Sequence, residues 1–379
     1  MRIGFDYTAA IRQGAGIGRW ARCLIQALLE LDRVNTYTLF YSRATAHDPA
    51  PKLPEGPNVS GRRLWLDERA LNMLWYKLGA PIPIDALAGP ADVFHFPDFA
   101  LPPVRRGATV VTVHDLSFML VPECADQRLR AHLEKVVPMS VREADFVCAD
   151  SENTRNELTT LLDVVPERVA VVYGGVDRRF HPVTDPAVLE AIRQKYGLSF
   201  PFIFYMGTIE PRKNLGRLLQ AYTRLREKSR SPHRLVIAGG LGWLYQEVLR
   251  DIDQLAAEQR VVFLGRVPDD DLPALYSLCD VFAFPSLYEG FGLPPLEAMA
   301  CGKAVVCSNT SSLPEVVGDA GVFVSPYDVD GLADVLGQLL ADPSRRQRLG
   351  ERGIERASQF TWEKAARQTL EIYRQITGM

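Results

Sequence analysis

The chain has 379 residues, 47% of them hydrophobic and 23% charged, and its formal net charge is −3. This length exceeds one ordinary core and predicts two domains of roughly 150 to 200 residues each, while the near balance of charge excludes the basic field of a nucleic-acid-binding protein. Six cysteines stand singly, without a C-x-x-C pair or a histidine at zinc-finger spacing, which fits reduced thiols in a cytoplasm; no apolar run approaches the about 18 residues of a membrane span.

Short apolar runs alternate with longer amphipathic stretches. Arg2 to Tyr7, Tyr37 to Tyr41, Val93 to Phe96 and Thr109 to Val113 read as strands in the first half. Val169 to Val172, Phe202 to Met206, Arg234 to Ala238, Val261 to Leu264, Val281 to Phe284, Ala304 to Cys307 and Gly321 to Val324 repeat the theme in the second. Strands alternating with helices predict parallel sheets, here two doubly wound α/β sheets. The glycines of Tyr173-Gly174-Gly175-Val176-Asp177, followed by Phe180-His181-Pro182, relax the backbone and forbid a helix. A hinge is placed there, with 1–175 as the first domain and 176–359 as the second. Trp362 to Ile376 carries apolar residues at helical spacing and predicts a last helix. Open α/β sheets bind ligands at the carboxyl ends of their strands, so the chemistry is sought there.

Four segments at such ends stand out. Gly14-Ala15-Gly16-Ile17-Gly18 follows the first strand and opens an apolar helix, where glycines let a phosphate reach backbone amides. It is neither a Walker loop nor the full dinucleotide fingerprint. The next strand ends in Ser42 and Arg43 rather than in an acid for a ribose, which argues against nicotinamide and flavin cofactors. Val113-His114-Asp115 ends a strand in a histidine, placed either to bond a sugar hydroxyl or phosphate oxygen or to serve as a satisfied core residue; His95 ends the preceding strand similarly. Gly207-Thr208-Ile209-Glu210-Pro211-Arg212-Lys213-Asn214 sets two adjacent cations before a helix amino terminus, against the preference for acids there, and so calls for an anion such as a diphosphate. Glu289-Gly290-Phe291-Gly292-Leu293-Pro294-Pro295-Leu296-Glu297 joins the amides of a glycine-rich helix start to two carboxylates suited to vicinal sugar hydroxyls. Glu297, read in the first turn, also has a helix-dipole explanation, whereas Glu289 has none.

Three further patterns take structural readings. Asp269-Asp270-Asp271 precedes a helix and is read as dipole-stabilising rather than as a metal site. The aromatic stripe from Arg62-Arg63-Leu64-Trp65 to Leu74-Trp75-Tyr76 is read as core or interdomain packing, and Arg345, Arg346, Arg348, Arg352 and Arg356 as a solvated helix face.

Taken with these segments, the chain resembles family 4 of the retaining glycosyltransferases, and within it the bacterial mannosyltransferase-like and surface-polysaccharide enzymes. The resemblance runs almost end to end, through Gly16-Ile17-Gly18-Arg19, Val113-His114-Asp115, Asp150-Ser151-Glu152-Asn153-Thr154-Arg155, Gly175-Val176-Asp177, the Gly207 to Asn214 segment and the E-x7-E from Glu289 to Glu297. The last two are highly specific together. The resemblance implies the α/β fold called GT-B, two doubly wound Rossmann-like domains facing across a cleft, with the nucleotide in the second domain and a last helix, 360–379, crossing back to the first. It implies Arg212 and Lys213 on the donor diphosphate, Glu297 on the ribose and Glu289 against the donor sugar. The amides of Gly290, Phe291, Gly292 and Leu293 would bind sugar and phosphate, Gly16 would close on the diphosphate, and His114 would lie near the reacting carbon. Gly207 and Thr208 belong to the phosphate loop, and Gly239, Arg266 and Val267 to the base pocket. One departure is Thr208, where many relatives carry arginine, which throws the phosphate contacts onto Arg212 and Lys213.

The activity implied is transfer of a hexosyl group from a nucleotide-diphosphate sugar, with a lean to GDP-mannose and UDP- and dTDP-sugars left open, to a glycan or lipid-linked saccharide with retention of configuration. His114, Glu289 and Lys213 form the catalytic set. No cofactor and no metal is expected, because Lys213, Arg212 and helix-start amides would stabilise the departing diphosphate. A lipid-linked acceptor would bring the enzyme to the inner membrane face as a peripheral protein. A nucleotide-sugar 2-epimerase of the same fold and a non-catalytic nucleotide-sugar binding protein are the competing readings.

Overall fold

The computed structural model describes residues 1–14, 16–42, 52–229, 231–258 and 260–378. Ala15 and Arg43, both used in the sequence reading, lie outside the described residues. The chain forms two compact units. The first comprises Met1–Leu116, Arg128–Gly175 and Thr361–Met379, and the second Ser117–Gln127 and Val176–Phe360.

In the first unit the described strands are β1 (Arg2–Asp6), β2 (Thr36–Tyr41), β3 (Val59–Arg63), β4 (Val93–Phe96), β5 (Ala108–Val113), β6 (Phe146–Ala149) and β7 (Val169–Val171). They lie in the order β3-β2-β1-β4-β5-β6-β7, every neighbouring pair parallel. Val110, Val111 and Val113 are wholly buried, as parallel strands covered on both faces require. Phe5 stands opposite His95, Phe96 opposite Val111 and Val113 opposite Ala149. That register brings the strand ends carrying Asp6, Pro97, His114 and Asp150 to one edge of the sheet. Val169–Val171, expected to begin the second half, instead closes the first sheet beside β6. Neither β3 nor β6 was anticipated: Val-Ser-Gly-Arg-Arg is an exposed polar edge, and Phe-Val-Cys-Ala is only four residues long.

The second unit holds β8 (Phe202–Met206), β9 (Arg234–Ala238), β10 (Val261–Gly265), β11 (Val281–Phe284), β12 (Ala304–Ser308) and β13 (Gly321–Val324) among its described residues, in the order β10-β9-β8-β11-β12-β13, all parallel. Both orders reverse beside the unit's first strand, which creates a topological switch point between β1 and β4 and another between β8 and β11.

Two connections leave the simple two-halves pattern. Ser117–Gln127, which the sequence reading left in the first domain, clusters with the second unit, where Trp243 donates its indole N–H to the Cys124 carbonyl at 2.7 Å. The last helix, Trp362–Thr377, packs in the first unit, with the Tyr373 hydroxyl 2.6 Å from His95 Nδ1. The helix start comes so close to Gly175 that a Cβ there would stand 2.2 Å from Trp362 N, so only glycine fits.

The aromatic stripe divides. Tyr76 is buried beside His132 and Trp75 donates to the Ile82 carbonyl at 2.8 Å, but Trp65 is 73% exposed and so takes no part in the core or interdomain packing expected of the stripe. Asp270 pairs with Arg179, and Asp271 accepts from Lys195 and Tyr196.

Candidate active site

The carboxyl edge of the second sheet carries a buried ionic cluster at its switch point. After β8 the chain makes one tight turn, Pro211–Lys213, and then holds Asn214 in the left-handed region at φ 57° before the helix Leu215–Lys228. Asparagine tolerates that conformation, and here its side-chain amide donates to the carbonyls of Pro285 and Pro326, both at 2.8 Å, which ties the turn to the loops after β11 and β13. The turn therefore presents Arg212 and Lys213 to Glu289, which follows β11. Lys213 Nζ donates to both Glu289 oxygens at 2.7 and 2.8 Å, and Arg212 Nη1 donates to one of them at 3.2 Å. Arg212 also donates to the Tyr288 carbonyl and to Glu210 Oε1, each at 2.9 Å. Burial pushes the Glu289 carboxyl up, but the charges of Lys213 and Arg212 outweigh it and hold the group below the usual glutamate range. Lys213 Nζ further lies 5.3 Å from the centre of the Phe284 ring.

Main-chain anchors fix Glu289. Its N–H donates to Ser311 Oγ at 2.9 Å, while Ser312 Oγ donates to the carbonyls of Glu289 and Phe291 at 2.9 and 2.8 Å. Gly292, at φ 113°, then starts the helix Leu293–Ala300. Glu297 lies beyond the first turn of that helix, so the dipole explanation for it falls away; it is buried and accepts from the Tyr276 hydroxyl at 3.0 Å. Close backbone approach forms the neighbouring floor. Gly207 N–H donates to the Ala238 carbonyl and Gly239 N–H to the Gly265 carbonyl, and a Cβ on Gly239 would stand 1.8 Å from Gly207 O. Thr208 is half-buried beside that floor, Val267 is buried and Arg266 is exposed.

In the first unit His114 follows β5 and is buried. Its Nδ1 lies 2.6 Å from Asp150 Oδ2 and its Nε2 2.7 Å from the Pro97 carbonyl. A carbonyl only accepts, so Nε2 carries a proton, and the Asp150 carboxylate holds a second proton on Nδ1. Burial opposes this charge, but Asp150, the Pro97 carbonyl and Asp98 prevail and raise His114 to about 9. The ring is therefore an imidazolium whose two N–H groups are both committed to the protein, rather than one with a nitrogen turned outward to a sugar. Gly16, at φ 56°, caps the helix Ile17–Leu31, and Trp20 of that helix sets its ring edge-on to His114 at 5.2 Å. His95 is a core residue: it is fully buried between Tyr373 and Thr112, and burial lowers it to about 3.

Two family profiles divide the chain between them. The family described as Glycosyltransferase Family 4 matches residues 14–180, and that described as Glycosyl transferases group 1 matches residues 189–356. The O-antigen chain mannosyltransferase B of Escherichia coli is 36% identical over 95% of this chain and 96% of its own length. The chain belongs to glycosyltransferase family 4. Among solved structures, this family 4 glycosyltransferase is similar to sucrose-phosphate synthase from Thermosynechococcus elongatus, with a TM-score of 0.80 at 22% identity over 100% of this chain and 99% of that one. It is similar also to Anabaena HepE, determined with UDP and glucose, with a TM-score of 0.73 at 21% identity over 98% of each chain. The fold is GT-B. Among the described residues, no helix of the transferase is long and apolar enough to cross a membrane.

The nominated residues fall into two groups in this glycosyltransferase. Arg212, Lys213 and Glu289 meet directly, with Gly290, Phe291, Gly292, Leu293 and Glu297 continuing from them along one segment of the second unit. Gly16 and His114 belong to the first unit, linked through Trp20. Sequence reasoning missed Ser311 and Ser312. Their signal was the run Asn309-Thr310-Ser311-Ser312, four small polar residues at the carboxyl end of β12.

Proposed function

We propose that the enzyme transfers a mannosyl group from GDP-mannose to a glycan or lipid-linked saccharide with retention of configuration and without a divalent metal. The observation that carries this reading is the Arg212–Lys213–Glu289 cluster at the switch point of the second sheet. Two cations drawn together there offer a departing diphosphate the charge that a metal would otherwise supply. Glu297, fixed by Tyr276, is assigned to the ribose, and the amides from Gly290 to Leu293 to phosphate and sugar. Similarity to an O-antigen mannosyltransferase supports mannose and a saccharide acceptor.

Both oxygens of Glu289 are bonded to Lys213, a poor state for a covalent nucleophile. Front-face substitution follows: the bond from the anomeric carbon to diphosphate breaks, the acceptor oxygen bonds that carbon on the same face, and its proton passes to the leaving phosphate oxygen. His114 contributes as a fixed positive charge. A lipid-linked acceptor would hold the enzyme peripherally at the cytoplasmic membrane face.

The test is a thermal-shift panel of GDP, UDP, dTDP and ADP and their sugars, with and without EDTA, on wild type and Lys213→Ala. A ligand at 100 times its Kd adds about 2.7 kcal/mol. GDP and GDP-mannose should stabilise the wild type equally with EDTA and the variant much less. Stabilisation only with a divalent ion, or by another nucleotide alone, would overturn the metal-free or the GDP part respectively.

A further inference from the structure

Buried polar groups are nearly always hydrogen-bonded, so the exceptions are informative. Among the described residues of the second unit, three buried side-chain atoms lack a hydrogen-bond partner: the hydroxyls of Tyr205, Ser286 and Ser308. All three stand at the carboxyl edge of the sheet. Tyr205 is the last residue but one of β8, Ser286 follows two residues after β11, and Ser308 ends β12. Ser308 is thus one strand further out, whereas Tyr205 and Ser286 belong to the two strands that flank the switch point.

Contacts tie both hydroxyls to the Arg212–Lys213–Glu289 cluster. The residues on either side of Ser286 bond the cationic turn: the Pro285 carbonyl accepts from Asn214 Nδ2 and the Leu287 N–H donates to the Arg212 carbonyl, each at 2.8 Å. The Ser286 hydroxyl approaches Glu289 and helps to hold that carboxyl low, without reaching hydrogen-bond geometry. The Tyr205 ring lies 6.2 Å from that of Phe284 and 26° from parallel, and Lys213 Nζ sits over the same Phe284 ring. Its hydroxyl stands 3.2 Å from where a Cβ on Gly207 would lie, at the start of the loop that carries both cations. Burial, and then the charges of Glu289 and Glu210, raise this phenol well above its usual range, so it stays a donor. Both residues are wholly buried, and each hydroxyl forfeits the bond that water gives it in the unfolded chain.

These donors need an acceptor, and the acceptor beside them is engaged elsewhere. Both Glu289 oxygens accept from Lys213 Nζ. Ser311 and Ser312 pin the main chain at Glu289, so the side chain alone is free to turn. We propose that Tyr205 and Ser286 are positioning residues that receive the Glu289 carboxylate when a donor diphosphate draws Lys213 away, exchanging two bonds to the lysine for two to hydroxyls. The exchange keeps a buried carboxylate bonded while Lys213 turns to the phosphate on which charge develops. It rests on the reading of the cluster as the diphosphate site and adds the residues that let the cluster open.

Melting of Tyr205→Phe and Ser286→Ala by scanning calorimetry, in the wild-type and Lys213→Met backgrounds, tests the exchange without a ligand, because Lys213→Met takes the lysine from Glu289 as the diphosphate would. In the wild-type background, where the hydroxyls have no partner, each substitution should leave Tm unchanged or raise it by up to about 4 °C. In the Lys213→Met background, where Glu289 turns to them, each should lower Tm by about 4 °C or more. A merely structural hydroxyl shifts both backgrounds alike, and equal shifts would overturn the proposal. With Lys213 intact, calorimetric affinity for whichever of GDP, UDP, dTDP and ADP binds wild type should fall about tenfold in each variant. Unaltered affinity in both variants would also overturn the exchange, leaving the diphosphate site in place. A wild type that binds none of the four would instead overturn the diphosphate reading above, and the exchange with it, whatever the melting curves show.

Discussion

Replacing Lys213 with methionine tests whether Glu289 depends on the lysine proposed above for the donor diphosphate. Lys213 Nζ bonds both Glu289 oxygens, and the two side chains are 12% and 7% exposed, so solvent screens the pair little. Removing one partner of a buried ion pair costs about 3–5 kcal/mol. Arg212 remains 3.2 Å from the carboxylate, and the methionine stem preserves packing over Phe284, so the lower figure is expected. About 1 kcal/mol moves Tm by roughly 2–4 °C in a domain of this size. Scanning calorimetry at pH 7.5 should therefore place the transition of the second unit about 6–12 °C below wild type. Glu289→Gln removes the charge that Lys213→Met strands, so the double variant should recover part of the loss, with a coupling near 2 kcal/mol by double-mutant cycle. Single losses that simply add, within about 0.5 kcal/mol, would refute the electrostatic account of the cluster.

Three other perturbations follow from the geometry. His114 is raised to about 9 in the folded protein, above an unfolded value near 6.5, so its contribution is full below that value and lost as pH rises through 9. Urea unfolding of wild type relative to His114→Gln should show a difference that shrinks by on the order of 2–3 kcal/mol between pH 6.5 and 9.5; parallel profiles would contradict the imidazolium assignment. Gly239→Ala sets a Cβ 1.8 Å from Gly207 O at φ 146° and should cost more than about 3 kcal/mol, so a variant with wild-type Tm would sink the close-approach argument. Tyr276→Phe leaves Glu297 without its hydroxyl donor and should weaken nucleotide binding by about tenfold, roughly 1.4 kcal/mol, with unaltered affinity by calorimetry separating Glu297 from the ribose.

Most of the scaffold was legible because buried parallel strands are nearly continuous apolar runs: Val110, Val111 and Val113, and Phe202 through Tyr205, declare themselves. What escaped lacked that signal. β3 is polar because it lies at an edge, and β6 offers only four residues of apolar pattern. The excursion of Ser117–Gln127 to the second unit depends on contacts such as Cys124 with Trp243, more than a hundred residues apart, which no local pattern encodes. The E-x7-E and the Arg212-Lys213 pair were legible for the opposite reason. Cations at a helix start and a glutamate with no helix-dipole role break local rules, and such violations mark sites.

The cluster also refines the argument that first drew attention to it. Two cations ahead of a helix imply an anion, and the fold itself supplies one in Glu289. Without it Arg212 and Lys213 would repel each other in a poorly solvated pocket; with it they stand preorganised at the switch point of the second sheet. On the proposed function, a diphosphate would share these cations with Glu289 or displace it. A diphosphate that drew charge from Lys213 would return acceptor capacity to the carboxylate for sugar hydroxyls, which the proposed donor needs at its other end.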